Sequence, residues 1–149
     1  MTNKIKLSAF LAALCLVPTI SAKNMFADVQ VSDIETGAQS SWIRKNQHTP
    51  RYPLALAQSG ITGCAVFSVN VTESGESDEI KLVAASTKTK LPREAKKLVK
   101  KMRWMAASKD SARQAETKKV RLDFCITGNS QQAVIQACKK QSQQLCGEA

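Results

Sequence analysis

The chain has 149 residues, a formal net charge of +10 and a sequence pI near 9.6. That length supports one modest core and excludes two full domains. The positive balance favours anionic partners, lipid headgroups, envelope polymers or acidic proteins, over nucleic acid, although most basic residues follow ordinary helix patterning and read first as a well-charged soluble surface.

Met1 to Lys6 is a short basic start, Leu7 to Ile20 is an apolar run interrupted by Ser8, Pro18 and Thr19, and Ser21-Ala22 offers small residues at a cut. This pattern predicts a secretory signal peptide over residues 1–22 and hence an exported protein. The apolar run falls short of the roughly 20 residues that span a bilayer, which argues against a retained anchor. Cys15 follows Leu14, where lipid attachment wants a small residue. The remaining cysteines, Cys64, Cys125, Cys138 and Cys146, are even in number and in an oxidising compartment predict up to two disulfides. No pair has zinc-ligand spacing and the single histidine, His48, lies far from them in sequence, so neither metal nor other cofactor is expected.

Residues 23–49 are polar and weakly patterned, with Trp42 and Ile43 their strong apolar pair, and read as a leader that adds at most a short helix or strand. After Pro53, a residue suited to a first turn, Leu54, Leu56 and Ala57 have helical spacing, and Gly60 stops the turn. From Cys64 to Thr72 the chain alternates, with Ala65, Phe67, Val69 and Val71 on one face. Glu73 to Glu76 is a turn, and Ile80, Leu82 and Ala84 mark the returning strand of a hairpin. Residues 93–103 form the clearest helix: Leu91, Ala95, Leu98, Val99 and Met102 make an apolar stripe opposite Arg93, Lys96, Lys97, Lys100 and Lys101. Trp104 is read as a core residue just past the helix end.

Residues 105–118 are polar and read as a mobile connection, and Val120, Leu122, Phe124 and Ile126 alternate in a third strand. A second amphipathic segment, residues 130–145, carries Val134, Ala137, Cys138 and Leu145 on one stripe. The expected fold is α+β, a small three-stranded antiparallel sheet with helices on one face in the order αββαβ, plus an appended C-terminal helix. The domain plan is a signal over 1–22, a leader over 23–49, a domain over 50–127 and a cysteine-bearing extension over 128–149. Catalysis is not expected, since the carboxylates Asp78, Glu79, Glu94 and Asp123 read as scattered on solvent faces and no serine sits in a nucleophile motif.

Tyr52-Pro53, Gly60-Ile61-Thr62-Gly63, Gly75, Trp104 and Phe124 stand in an order that resembles the C-terminal domain of TonB, the periplasmic energy transducer of Gram-negative bacteria. The resemblance covers about half the chain. It implies that the first strand lies between the other two and that the third is an edge able to accept an extended peptide, as TonB engages the N-terminal box of outer-membrane receptors. Val120, Arg121, Leu122, Asp123, Phe124 and Ile126 would then be the recruiting edge, with Ala57 where the family supplies a glutamine contact. With a cleavable signal and only four prolines, the chain departs from a membrane-anchored, proline-rich transducer. The implied role is a protein-binding accessory to transport, whose partner is an outer-membrane receptor or a membrane motor complex. Any membrane association would be peripheral, and a homodimer by edge exchange fits the same geometry.

By parity Cys64 and Cys125 both point away from the core. If the family arrangement makes their strands neighbours, the two come within disulfide reach. Cys138 and Cys146 lie about 12 Å apart along a helix rising roughly 1.5 Å per residue, too far to bridge unless the helix ends first. Either the sheet pair bonds to itself and the helix unwinds before Cys146, or each sheet cysteine takes one helix cysteine and draws the appended helix across the outer sheet face. Three readings stay open: a peptide-recruiting module, a disulfide-locked adaptor whose edge is closed by residues 128–149, and a basic binder of anionic polymer through Lys96, Lys97, Lys100 and Lys101.

Overall fold

The computed structural model describes residues 25–34, 40–45, 47, 49–88, 90–110 and 113–147. The expected signal segment, and His48, lie outside them. In chain order the elements are β1 (Phe26–Asp33), β2 (Trp42–Arg44), α1 (Leu54–Ala57), β3 (Gly63–Val71), β4 (Ser77–Ala85), α2 (Lys90–Lys100), β5 (Trp104–Ala106), β6 (Glu116–Thr127) and α3 (Gln131–Ser142).

The strands form a four-stranded sheet in the order β1-β6-β3-β4, antiparallel throughout, and a two-stranded ribbon of β2 with β5. The fold is α+β as expected, but the sheet has a fourth strand and the helices lie on both of its faces. Against one face α2 packs Leu91, Ala95 and Val99, all fully buried, onto Phe67, Val69, Val71, Val120, Leu122 and Phe124. Against the other lies α3, whose Val134 and Cys138 join Cys125 and Phe26 in a smaller cluster. Period-two alternation makes this possible, because each β6 side chain addresses one helix layer or the other.

Residues 23–49, read as a leader, supply two strands. In β1, Val29 and Val31 reach the core face opposite Phe124 and Leu122, while Phe26 turns to α3. In β2, Trp42 joins the core and its indole Nε1 donates to the Gln114 carbonyl at 2.7 Å. Trp104 is buried as expected, but it opens β5 and does not follow directly on the helix, since α2 ends at Lys100.

Of residues 105–118, read as a loose connection, Met105 and Ala106 complete β5 and 116–118 begin β6, with 107–110 and 113–115 irregular between them. Glu116 secures that start by accepting from the Ser41 amide (2.9 Å) and the Ser40 hydroxyl (3.0 Å). Lys118, only 2% exposed, continues the inward face of β6. Its ammonium sits 5.6 Å from the centre of the Trp104 ring, 3.4 Å from Glu116 Oε1 and in contact with Ser40 Oγ, so the buried charge is compensated on several sides.

The motif residues serve packing. Tyr52 places its ring edge-on against Phe124 at 5.6 Å and donates its hydroxyl to the Ile61 carbonyl, and burial pushes its phenol pKa up. Gly75, at φ +77, accepts from the Trp104 amide, and a Cβ there would meet the Trp104 carbonyl oxygen at 2.4 Å. Gly60, at φ +61, has open space around it. Both left-handed conformations disfavour alanine, by roughly 1–2 kcal/mol. Gly60→Ala should therefore cost about 1 kcal/mol, whereas Gly75→Ala, which also drives a methyl into backbone, should cost clearly more. Urea unfolding of the two variants measures the difference.

Candidate functional site

The site expected from the sequence is the free edge of β6, and that edge is not free. Residues 120–124 are paired on both sides, with β1 and with β3, and Cys125 and Ile126 with β1. Leu122 stands between Ala65 of β3 and Val31 of β1, and Phe124 between Gly63 and Val29. The pairing with β1 extends from Phe26↔Thr127 to Asp33↔Val120, and the Ile34 amide donating to the Lys119 carbonyl at 3.0 Å continues it. An incoming strand would take the position that β1 holds. Val120, Leu122 and Phe124 face the core with no exposure, and Arg121 and Asp123 are buried on the opposite face, so none of these five presents a side chain to solvent.

Closure of this edge comes from β1, not from residues 128–149. The C-terminal segment closes the adjoining face. Ser130 caps α3, its hydroxyl accepting from the Ala133 amide at 3.1 Å, and the helix then crosses β1 and β6. Two disulfides fasten it. Cys125 on β6 bonds to Cys138 within α3, and Cys64 on β3 bonds to Cys146 beyond the helix end. Of the two pairings left open by the sequence, the structure has the cross-linked one, in which each sheet cysteine takes one C-terminal cysteine. The Cys138 sulfur also lies in van der Waals contact with the backbone oxygens of Asp28 (3.7 Å) and Asp123 (3.4 Å), so the cross-link sits directly over the β1–β6 seam.

Between the two disulfides lies a buried polar network. The Arg121 guanidinium grips Asp123 by two hydrogen bonds of 2.8 Å and donates to the carbonyls of Gln144 (2.6 Å) and Gln141 (2.9 Å). Those carbonyls lie in the last turn of α3 and just past it, where the helix C-terminus attracts a cation, and the Gln141 carbonyl also accepts from the Gln144 amide at 3.0 Å. The Gln141 side-chain amide bridges the Gly63 carbonyl (2.9 Å) and Asp123 Oδ1 (3.1 Å). Asp123, expected on a solvent face, is fully buried. Glu94 is also largely buried: a hydrogen bond from the Lys97 ammonium outweighs desolvation and, with the charges of Lys97 and Arg93, holds its carboxyl pKa below the usual range.

The opposite edge of the sheet, β4, is irregular. Its register against β3 shifts twice, Glu79 adopts φ 42, and Leu82 and Val83 are 51% and 49% exposed. Bulges and charged residues on an edge oppose strand addition, so this side is a poor substitute for the β6 edge. Lys96, Lys97 and Lys100 are exposed on α2 and Lys101 just past its end, with Lys97 engaged by Glu94. Among the described residues no three His, Cys, Asp or Glu side chains converge as a metal would require. No described helix is long and apolar enough to cross a membrane.

A signal for the covering strand stood in the sequence. Ala27, Val29 and Val31 alternate with Asp28, Gln30 and Ser32, the pattern of a half-buried strand, but it is short and set among polar residues.

The family model described as Gram-negative bacterial TonB protein C-terminal matches residues 48–126. Searches of curated proteins and of solved structures found no match.

Two outcomes follow from this site. Arg121→Met strands a buried carboxylate and should cost about 3–5 kcal/mol in urea unfolding. Replacing Asp123 by leucine in the same chain should recover most of that loss. Because Cys125 and Cys138 are buried while Cys146 is partly exposed, limiting reductant without denaturant should release Cys64 and Cys146 to alkylation first, as mapped by mass spectrometry.

Proposed function

The chain belongs to the TonB C-terminal family, and on that premise we propose that it is a disulfide-locked, protein-binding adaptor of the periplasm, accessory to transport through outer-membrane receptors. The observation that carries this reading is the complete pairing of residues 120–126 with β1 beneath a cross-linked α3. A module poised to recruit an extended peptide needs an unpaired edge. Here the chain's own strand fills it, with Val29 and Val31 contributing to the core. An incoming peptide would have to replace eight register pairs and the contacts of β1 with α3 while both disulfides hold that helix in place.

The role is binding and not catalysis. Asp78 and Glu79 lie exposed on the bulged strand, Glu94 is paired with Lys97, and Asp123 is consumed by Arg121. None is matched with a nucleophile or a proton acceptor in the manner of a reaction centre. Cross-linking of α3 and of the residues just past it to the sheet supports export to an oxidising compartment, where such bonds persist.

Hydrogen exchange tests the reading. With peptides copied from receptor N-terminal boxes added to the oxidised protein, amides of residues 26–33 should keep their protection. Peptide-dependent exposure of those amides, with residues 120–126 still protected, would show strand replacement and return the peptide-recruiting module.

A further inference from the structure

With the β6 edge filled, a partner must be met elsewhere. Beside β2 and the last turn of α2 is a cleft of about 280 Å³ with an apolar floor and a cationic rim. Pro50, Leu98 and Met102 form the floor, and Arg44, Lys101 and Arg103 stand around it, with no carboxylate in the lining. Two of these cations retain capacity for a ligand. Arg44 is held by the Val31 carbonyl (3.3 Å) and by Asp33 (3.6 Å), whereas Arg103 is exposed and stands 3.6 Å from Glu76, longer than a charge-assisted hydrogen bond. Lys101 makes no ion pair among the described residues. Lys101 and Arg103 also line an adjoining depression with Lys97 and Lys100, so the positive surface continues along α2.

The relief of this surface distinguishes the ligand. Leu98 and Met102 are half-buried and packed against the core, whereas Lys101 and Arg103 are exposed. Membrane-surface binding needs the reverse, apolar side chains that protrude beyond the basic ones and enter the bilayer. A recessed apolar floor receives a side chain that protrudes from the ligand. The volume is near the lower bound of about 300 Å³ for small-molecule sites and suits one or two side chains.

We propose that this cleft docks an acidic segment of a partner protein, seating one apolar side chain on Leu98, Met102 and Pro50 while flanking carboxylates meet Lys101 and Arg103. The inference rests on the protein-binding reading and gives that reading a surface and a partner chemistry. It also assigns a use to Lys97 and Lys100 in the adjoining depression, which with Lys101 and Arg103 collect acidic chains by long-range attraction before the apolar contact forms.

The test is selection of random linear peptides displayed on phage against the oxidised full-length protein. Recovered peptides should carry Asp or Glu beside Leu, Ile or Phe. Their affinity should fall by roughly tenfold or more in the Lys101→Glu/Arg103→Glu variant, while Lys96→Glu, outside the cleft, should leave it within about twofold. Peptides without that composition, or peptides whose binding survives Lys101→Glu/Arg103→Glu or falls equally in Lys96→Glu, would overturn the cleft but leave a protein-binding role standing. Recovery of no peptide, with binding only to phosphatidylglycerol vesicles, would overturn both.

Discussion

Burial of Asp123 constrains the outer half of the molecule. A carboxylate with no solvent exposure is tolerable only if its charge is answered, and Arg121 answers it from two residues away on the same face of β6. The guanidinium must then be buried as well, and its remaining donors find the carbonyls at the end of α3. One ion pair thus fixes where the helix stops and which way it crosses the sheet. The disulfides on either side hold a geometry for which the pair already supplies polar partners. Once α3 is seated, β1 lies between it and the core helices, and the sheet acquires its fourth strand.

This arrangement separates two roles within the family motif. Tyr52, Gly75, Trp104 and Phe124 build the core and its corners: an edge-on aromatic pair, a tight turn under an indole, a strand that ends the helical layer. They specify the fold whether or not β6 has a free edge. Membership of the TonB C-terminal family therefore explains the core more directly than the partner surface, which depends on the flanking segments, and in this chain those segments cover β6.

The same division explains what was legible in the residues. Strong periodicity placed β3, the hairpin, α2, the inward face of β6 and α3, and parity turned Cys64 and Cys125 away from the core, where the structure has them. Arg121 and Asp123 looked like solvent-facing residues because charge is ordinarily exposed; only a second layer on that face makes them interior. Likewise β1 is weakly apolar and gains its place by pairing with a strand nearly ninety residues onward, a contact local pattern does not encode. The ribbon of β2 and β5 is too short to show a period at all, and two buried tryptophans, with their indole donors on Gln114 and Ser77, hold it together.

The two cross-links differ greatly in span, and this bears on how the molecule is made. Cys125 and Cys138 are separated by 13 positions and Cys64 and Cys146 by 82. Loop-closure entropy makes the longer closure harder by roughly 1.6 kcal/mol, and that closure joins the start of β3 to a residue past α3, so it awaits every element from β3 to α3. As the polypeptide folds under oxidising conditions, the short loop can close once β6 and α3 have formed, whereas the long one closes only over an assembled sheet. During oxidative folding the Cys64–Cys146 bond is therefore the later mark, formed when β3, β6 and α3 are already in place.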